Sequence, residues 1–594
     1  MLFRSPFVYS GPDVMDIFYT HVMKESETIS GIVRNDVDMM PLTPEEERQF
    51  RESTVCGNCA KSFTDRNRKV RHHCHISGQY QFAACNDCNL QLKPRRCGRK
   101  NQNKKAGDKR SFQSTAEWAK EHYETNFFLP VVFHNLKSYD AHFVIKYFKR
   151  KYTQISGTAS YDDISIIPLN SQKYLQFQIG ELRFLDSFQF LSTSPDELVS
   201  LLRKSGKEKF VHTKQHMGTD EDIVFSKGVY PYSYMTGPEK FEETQLPPID
   251  CFYDKVRDET MKEEDYQRAK DTWSRFGIKT MKDYHDHYLL SDVLLLADVF
   301  ENFRQVVYES HKLDCLHFVT LPSLAWAMAL KHTGVELGLI TDPEVYLMIE
   351  NNLRGGIATI SQRYASANNP QLNDFDPNEA NNYITYLDAN SLYATAQSEP
   401  LPVGNFQFLS DEEISRFDLH SVAPDASTGY IIECDLEYPS HLHDLHNDYP
   451  MAPDHLTVTR DMLSPFAMSL LDDSPHTWIP TQKLVPNLLN KTKYVTHYRN
   501  LKLYVKHGLK VTKIHRIISF DQSPWLKSWI DHCNKQRREA TSDFHSDLAK
   551  LQANATFGKN NGTGSAPRQH SLDCRPQQTV KSCQQSLVPA ERDN

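Results

Sequence analysis

The sequence predicts a multidomain α/β protein, and three observations predict it. Its 594 residues exceed what one core usually serves and suit about four domains. Short β-branched strand signals such as LPVVF at 129–133 alternate with long helical periodicity, as in the amphipathic run from Tyr288 to Phe303. Six of the 12 cysteines fall between Cys56 and Cys97, a local density that calls for a small module of its own. The net charge of −8 argues against bulk attraction to nucleic acid, so any such contact must come from local basic tracts. No apolar run reaches the length of a membrane span, and the N-terminus lacks a continuous signal-peptide core, so an intracellular, nuclear protein without a membrane partner is expected.

Taken in order, residues 1–50 read as a leading remnant segment and 51–92 as a metal module. Cys56-x-x-Cys59 and Cys85-x-x-Cys88 are two knuckles spaced for tetrahedral Zn²⁺ held by four thiolates. Clustering of this kind points to metal rather than disulfides. Between the knuckles lies VRHHCH at 70–75, and Asn89 follows the last cysteine. This stretch resembles the His-Asn-His nuclease module of recombination endonuclease VII. The resemblance implies a general base at His73 and a metal-binding Asn89. It departs at His72 and Cys74, where the nuclease pattern has Asp, and replacing a hard oxygen ligand by imidazole or thiol disfavours Mg²⁺. A structural or DNA-binding zinc module is therefore favoured over a metal-dependent nuclease. His75 either packs or serves as an alternative zinc ligand. Residues 93–125 read as a basic linker, Lys/Arg-rich and nearly free of apolar side chains from Lys93 to Arg110.

Residues 126–310 open with the strand signal at 129–133, followed at its end by Asn135, Tyr139 and Asp140. Tyr288 and Asp292 sit four apart on a later helix and share a face. Asp186 closes another strand signal, either as a spare carboxylate or as an ordinary strand end. Residues 311–380 connect onward and carry Arg354-Gly355-Gly356, paired glycines that permit either close backbone approach to phosphate or a plain turn.

At 381–450 comes Tyr386-Leu387-Asp388-Ala389-Asn390-Ser391-Leu392-Tyr393, with Asp388 at the end of an apolar run where a strand could hold it against a metal-bound triphosphate. Residues 451–520 include a tract, Lys491 to Arg516, without acidic residues, in which Lys491, Lys493 and Arg499 interleave with tyrosines. It reads either as a solvated face or as a surface touching primer and template. In 521–559, Lys550 and Asn554 lie one helical turn apart, so both face the same way. There an ammonium can meet phosphate charge, while Phe557 and Gly558 leave a flat, close surface for base and sugar. Phosphoryl transfer asks the protein mainly for positioning and charge neutralisation, usually through two metals.

These strings resemble motifs A and B of family B DNA polymerases, specifically the protein-primed organellar and viral type found also in Maverick (Polinton) mobile elements. The resemblance covers nearly everything from Pro6 to Lys559. It implies an RNase H-like 3′→5′ exonuclease domain, a partial palm, a terminal-protein-type insertion and a fingers helix pair. Asp388 becomes a metal ligand, Tyr393 the residue that packs under the sugar, and Lys550, Asn554, Phe557 and Gly558 nucleotide-binding positions. Asn135, Tyr139 and Asp140 resemble the second exonuclease motif, Tyr288 and Asp292 the third, and Gly355-Gly356 the loop that guides the template strand. The implied cofactors are Mg²⁺ or Mn²⁺ at the polymerase and exonuclease sites. The implied partners are a DNA primer-template, dNTPs and a terminal protein whose hydroxyl starts synthesis.

Two family features are missing from the sequence. No Asp-x-Glu precedes Asn135 as a first exonuclease motif, and no Asp-Thr-Asp turn occurs anywhere. Residues 560–594 are polar, without period and disordered by composition. With suitable synonymous codons, the tail read one base out of frame resembles the continuation expected after motif B, so a frameshift near Lys559 is expected. On this reading the chain is truncated at both ends and inactive, and a non-catalytic DNA-binding remnant is the rival outcome.

Overall fold

The computed structural model describes residues 5–560 apart from 36, 93–95, 98–123, 126–127, 148–163, 171, 219–220, 363 and 475–477. Most of the basic linker and the tail from 561 onward lie outside the described residues. The chain is a mixed α/β protein that divides into two compact units, one taking in Met1–Leu321 and the other Pro322–Ser565.

The first unit begins with helix α1 (Val14–Arg34) and helix α2 (Pro44–Glu52). Thr43 starts α2 with a capping box, its hydroxyl receiving the Glu46 amide while the Glu46 carboxylate receives the Thr43 amide. Strands β1 (Lys69–His73) and β2 (Tyr80–Cys85) form an antiparallel hairpin that runs into helix α3 (Asn86–Leu92). A second sheet uses β3 (Leu129–Phe133), β4 (Ile164–Pro168), β5 (Tyr174–Ile179) and β6 (Leu182–Asp186) in the order β3-β6-β5-β4. Only β3 and β6 are parallel, and their register sets Phe133 opposite Asp186. Being flanked on both sides, β6 is buried nearly throughout, and Phe184 stacks on Phe177 with ring centroids 4.6 Å apart. Helix α1 completes this core. Tyr19 is buried and donates to the Val144 carbonyl at 2.6 Å, while Phe18 meets Phe133 and Phe184. The leading segment is thus built into the sheet it precedes.

Helices α4 (Pro195–Lys204), α5 (Val211–Met217), α6 (Glu263–Arg275) and α7 (Met281–His311) pack beyond that sheet. The 31-residue α7 starts at a Thr280/Asp283 capping box and stops where Lys312 turns left-handed.

The second unit carries helices α8 (Pro343–Glu350) and α9 (Leu392–Gln397) and a wholly antiparallel sheet. Its strands are β7 (Leu401–Phe408), β8 (Thr428–Glu437), β9 (Lys491–His497) and β10 (Lys510–Ser523), ordered β9-β8-β10-β7. Helix α10 (Tyr498–Lys506) follows β9, and α11 (Lys527–Glu539) and α12 (Asp543–Asn560) form a terminal helix pair. The strand expected to end at Asp388 is not formed. Residues 383–389 are irregular and exposed, with Tyr386 94% and Leu387 84% accessible. An apolar run becomes a strand only when a neighbour takes up its hydrogen bonds and covers one face. No described strand does so here.

Candidate active site

In the first unit, the end of β3 turns sharply because Asn135 adopts a left-handed conformation (φ 65°). The turn is held from the neighbouring strand end. The buried Asp186 carboxylate accepts the Asn135 amide at 2.8 Å, the Phe188 amide at 3.0 Å and the Lys137 amide at 3.4 Å. Asp186 is therefore a strand-end residue that fixes the loop bearing Asn135, Tyr139 and Asp140. Tyr139 is exposed with its ring edge-on to Phe143. Burial raises the Asp140 carboxyl above its ordinary range, and the charge of Asp186 pushes the same way.

From α7, Tyr288 and Asp292 meet a lysine that sequence reasoning did not single out. Lys227 lies 2.6 Å from the Asp292 carboxylate and donates to the Tyr288 hydroxyl at 3.0 Å. The hydroxyls of Tyr232 and Tyr288 are 2.6 Å apart. Burial, reinforced by the Asp292 charge, drives the Tyr288 phenol far above its usual value, so it remains a neutral hydroxyl. Burial pushes the His134 imidazole down, against the Thr193 carbonyl and the Asp186 charge, which both favour its protonated form; the Lys227 ammonium adds only the smallest push downward. In sequence, Lys227 stood as a single lysine among aromatics in KGVYPY, without a spacing that pointed at α7.

In the second unit, Tyr393 on α9 stacks on Phe557 of α12, centroids 4.1 Å apart. The two predicted nucleotide-site motifs are thereby joined across more than 150 residues of sequence. Below them, Gln397 donates to the Ala553 carbonyl at 3.4 Å, and Trp529 of α11 donates to Thr556 at 3.0 Å, both in the buried interior. Lys550 and Asn554 share the open face of α12, while Gly558 lies in its last turn. Asp388 is exposed on the strandless stretch just before α9.

In the zinc-type knuckle, the ligand atoms of Cys56, Cys59, Cys85 and Cys88 all lie within 4.8 Å of one another, and two sulfurs are 3.8 Å apart. Cys56 and Cys59 flank a turn ahead of the hairpin, Cys85 closes β2 and Cys88 sits in the first turn of α3, so turn, hairpin end and helix start together bring the four sulfurs into one cluster. The crowded thiols split. Burial opposes ionisation at Cys56, yet the surrounding backbone amides pull its thiol below normal, whereas burial and the neighbouring sulfurs push Cys88 up. This donor set fits a tetrahedral divalent zinc ion, which takes thiolates and relieves their crowding. Asn89 faces back to β1, its Oδ1 3.1 Å from His72 Nδ1. The carboxamide oxygen that a His-Asn-His nuclease would turn to metal is here engaged with imidazole. The His73 and His75 rings pack tilted against each other, centroids 4.6 Å apart.

A model of DNA polymerase type B, organellar and viral, matches residues 129–569. The chain belongs to this family. The knuckle precedes the matched stretch. Solved structures of Phi29 DNA polymerase show weak overall likeness. The ternary complex with primer-template DNA and incoming nucleotide gives 15% identity and a TM-score of 0.37 over 75% of this chain. The complex with single-stranded DNA gives 14% and 0.37 over 76%. The chain covers 61% of the length of each. No curated protein sequence matches.

For a type B polymerase, the basic positions expected near DNA are placed unevenly. Lys493 is exposed. Lys491 is only 4% accessible and bonds Asn487, and burial lowers its ammonium to about 8. Arg499 reaches Glu399 and the Pro424 carbonyl, both at 2.8 Å. Arg354 donates to the Val495 carbonyl at 2.7 Å and lies over the Tyr494 ring. Three of the four cations named from sequence thus hold the sheet and its loops. Gly355 and Gly356 are exposed, with open space where side chains would project.

Among the described residues, no helix is long and apolar enough to cross a membrane.

Proposed function

We propose that this chain carries the machinery of a DNA-directed DNA polymerase that adds dNTPs to a primer-template, starts from a terminal-protein hydroxyl and edits with a 3′→5′ exonuclease. The observation that carries the reading is the stacking of Tyr393 on Phe557 beside the open Lys550/Asn554 face, within a family match that spans both motifs. In this reading Lys550 meets triphosphate charge, Tyr393 and Phe557 form the floor for sugar and base, and Asp388 supplies a carboxylate to Mg²⁺ or Mn²⁺. When bound there, Mg²⁺ or Mn²⁺ would supply charge neutralisation for the triphosphate. In the exonuclease, Asp140 and Asp292 are the metal-facing carboxylates. Tyr288, kept neutral by burial, orients water at the scissile phosphate, with Lys227 beside it as a source of positive charge.

A second reading is favoured by one feature: Asp388 stands on an exposed segment without a strand to hold it. On that reading the chain binds DNA without extending it. Primer extension with the full chain, dNTPs and Mg²⁺ or Mn²⁺ separates the two. Extension abolished by Asp388→Asn and weakened by Lys550→Ala supports the polymerase. Salt-sensitive binding of primer-template without extension in either metal replaces it with the binding remnant.

A further inference from the structure

In the second unit, His332 and His532 reach one spot from two different helices. His332 sits in the last turn of the helix Leu321–Thr333 and is exposed, while His532 lies midway along α11 and is half-buried. Their ring centroids are 4.6 Å apart at 37°, and the ring nitrogens they offer lie within 4.8 Å of each other. Two nitrogens bound to one ion at about 2.0–2.1 Å and a tetrahedral angle are about 3.3 Å apart, so a modest rotation of the exposed ring closes the gap. Both rings are backed by Trp529, whose ring centroid lies 5.8 Å from His332 and 5.9 Å from His532. Trp529 is itself fixed, being fully buried and bonded through Nε1 to Thr556 of α12. The pair therefore stands on a rigid support, as a ligand set requires. Burial lowers the His532 imidazole and the facing His332 adds to this, which keeps it in the unprotonated form that ligates metal.

We propose that His332 and His532 bind a divalent transition-metal ion of the class that prefers imidazole, such as Zn²⁺ or Ni²⁺, rather than Mg²⁺. Mg²⁺ seeks hard oxygen ligands, so this site differs in chemistry from the carboxylates at Asp388, Asp140 and Asp292, and it differs in donor atom from the four thiols of the knuckle. The ion cross-links the helix Leu321–Thr333 to α11. Because Trp529 ties α11 to α12, that cross-link steadies the helix pair bearing Lys550 and Asn554. No step of either reaction runs through it, and the site stands whether or not the chain polymerises.

The test is titration of the full chain, without a histidine tag and with its knuckle loaded with Zn²⁺, by Ni²⁺ in excess Mg²⁺, read by tryptophan fluorescence. Ni²⁺ held this close to Trp529 quenches its emission, so saturable, partial quenching is expected. Half-saturation should rise at least about tenfold in His332→Ala and in His532→Gln, since losing a ligand costs no less than losing a group that only supports one. His332 is exposed, so His332→Ala should keep the parent unfolding midpoint in the absence of Ni²⁺, which separates lost binding from lost folding. Excess Zn²⁺, which competes for imidazole but does not quench, should restore the emission, and further Mg²⁺ should not. The proposal is overturned if quenching does not saturate, if His332→Ala leaves half-saturation unchanged, if Zn²⁺ fails to compete, or if Mg²⁺ reverses the quench.

Discussion

Asp186 and Asp388 both close apolar runs, at 182–186 and 383–388, and they meet opposite surroundings. Asp186 is buried with backbone amides on its carboxylate, because β6 has a parallel partner, an antiparallel partner and α1 packed over the sheet. Asp388 is exposed on an irregular stretch, although Tyr393, five residues later, is firmly stacked on Phe557. A strand signal is a request for neighbours, and the two runs differ in whether neighbours answer. The knuckle sides with Asp186, since its four sulfurs converge from a turn, the end of β2 and the start of α3, all local in sequence.

The largest expected effect tests the closed side. Stripping metal with a chelator, or Cys85→Ser, should unfold the 51–92 module, because structural zinc contributes on the order of 10 kcal/mol to such sites. Bound zinc and protease cleavage between α2 and α3 are the measurements. Zinc-free protein that resists cleavage would break the comparison. Next, Phe184→Ala, beneath the Asn135 loop, should cost about 3–5 kcal/mol in urea unfolding of the first unit.

The second unit is tightly built away from Asp388, and pH sharpens that point. Burial holds His497 down to about 4, and its Nδ1 accepts the Arg499 amide at the start of α10. An unfolded histidine titrates near 6.5. The unfolded chain thus binds a proton between pH 6.5 and 4 that the folded chain refuses. Stability should fall by about 2–3 kcal/mol as pH drops through that window and stay flat above it. Urea midpoints against pH should lose this slope in His497→Asn.

Asp186→Asn should cost about 1–3 kcal/mol, since an amide cannot accept the same set of backbone donors. On the proposed exonuclease reading, 3′→5′ cleavage should slow with it, as the loop bearing Asp140 loosens. Smallest of all, Leu387→Ser should change stability by less than about 0.5 kcal/mol, because the side chain is already in water. A larger loss in thermal unfolding would mean that a strand forms at 383–388 after all.

Legibility followed chain distance. The knuckle ligands, the Lys550/Asn554 pairing and the shared face of Tyr288 and Asp292 are all fixed by spacing within one or two elements. Lys227 could not be read, because nothing local ties it to Asp292, 65 residues away. Nor could the inward turn of Lys491 and Arg354, since a cation reads the same in sequence whether it faces water or holds an oxygen of a neighbouring strand or loop.

The sequence by itself determined the α/β class, the polymerase-type motifs and the four thiols, because side-chain chemistry and helical or knuckle spacing are local properties. Only the tertiary structure decided that Tyr393 meets Phe557, that Lys227 joins Tyr288 and Asp292, and that the run before Asp388 stays open. Those outcomes depend on which distant segments supply hydrogen bonds and cover apolar faces, and that competition is settled only when the whole chain packs.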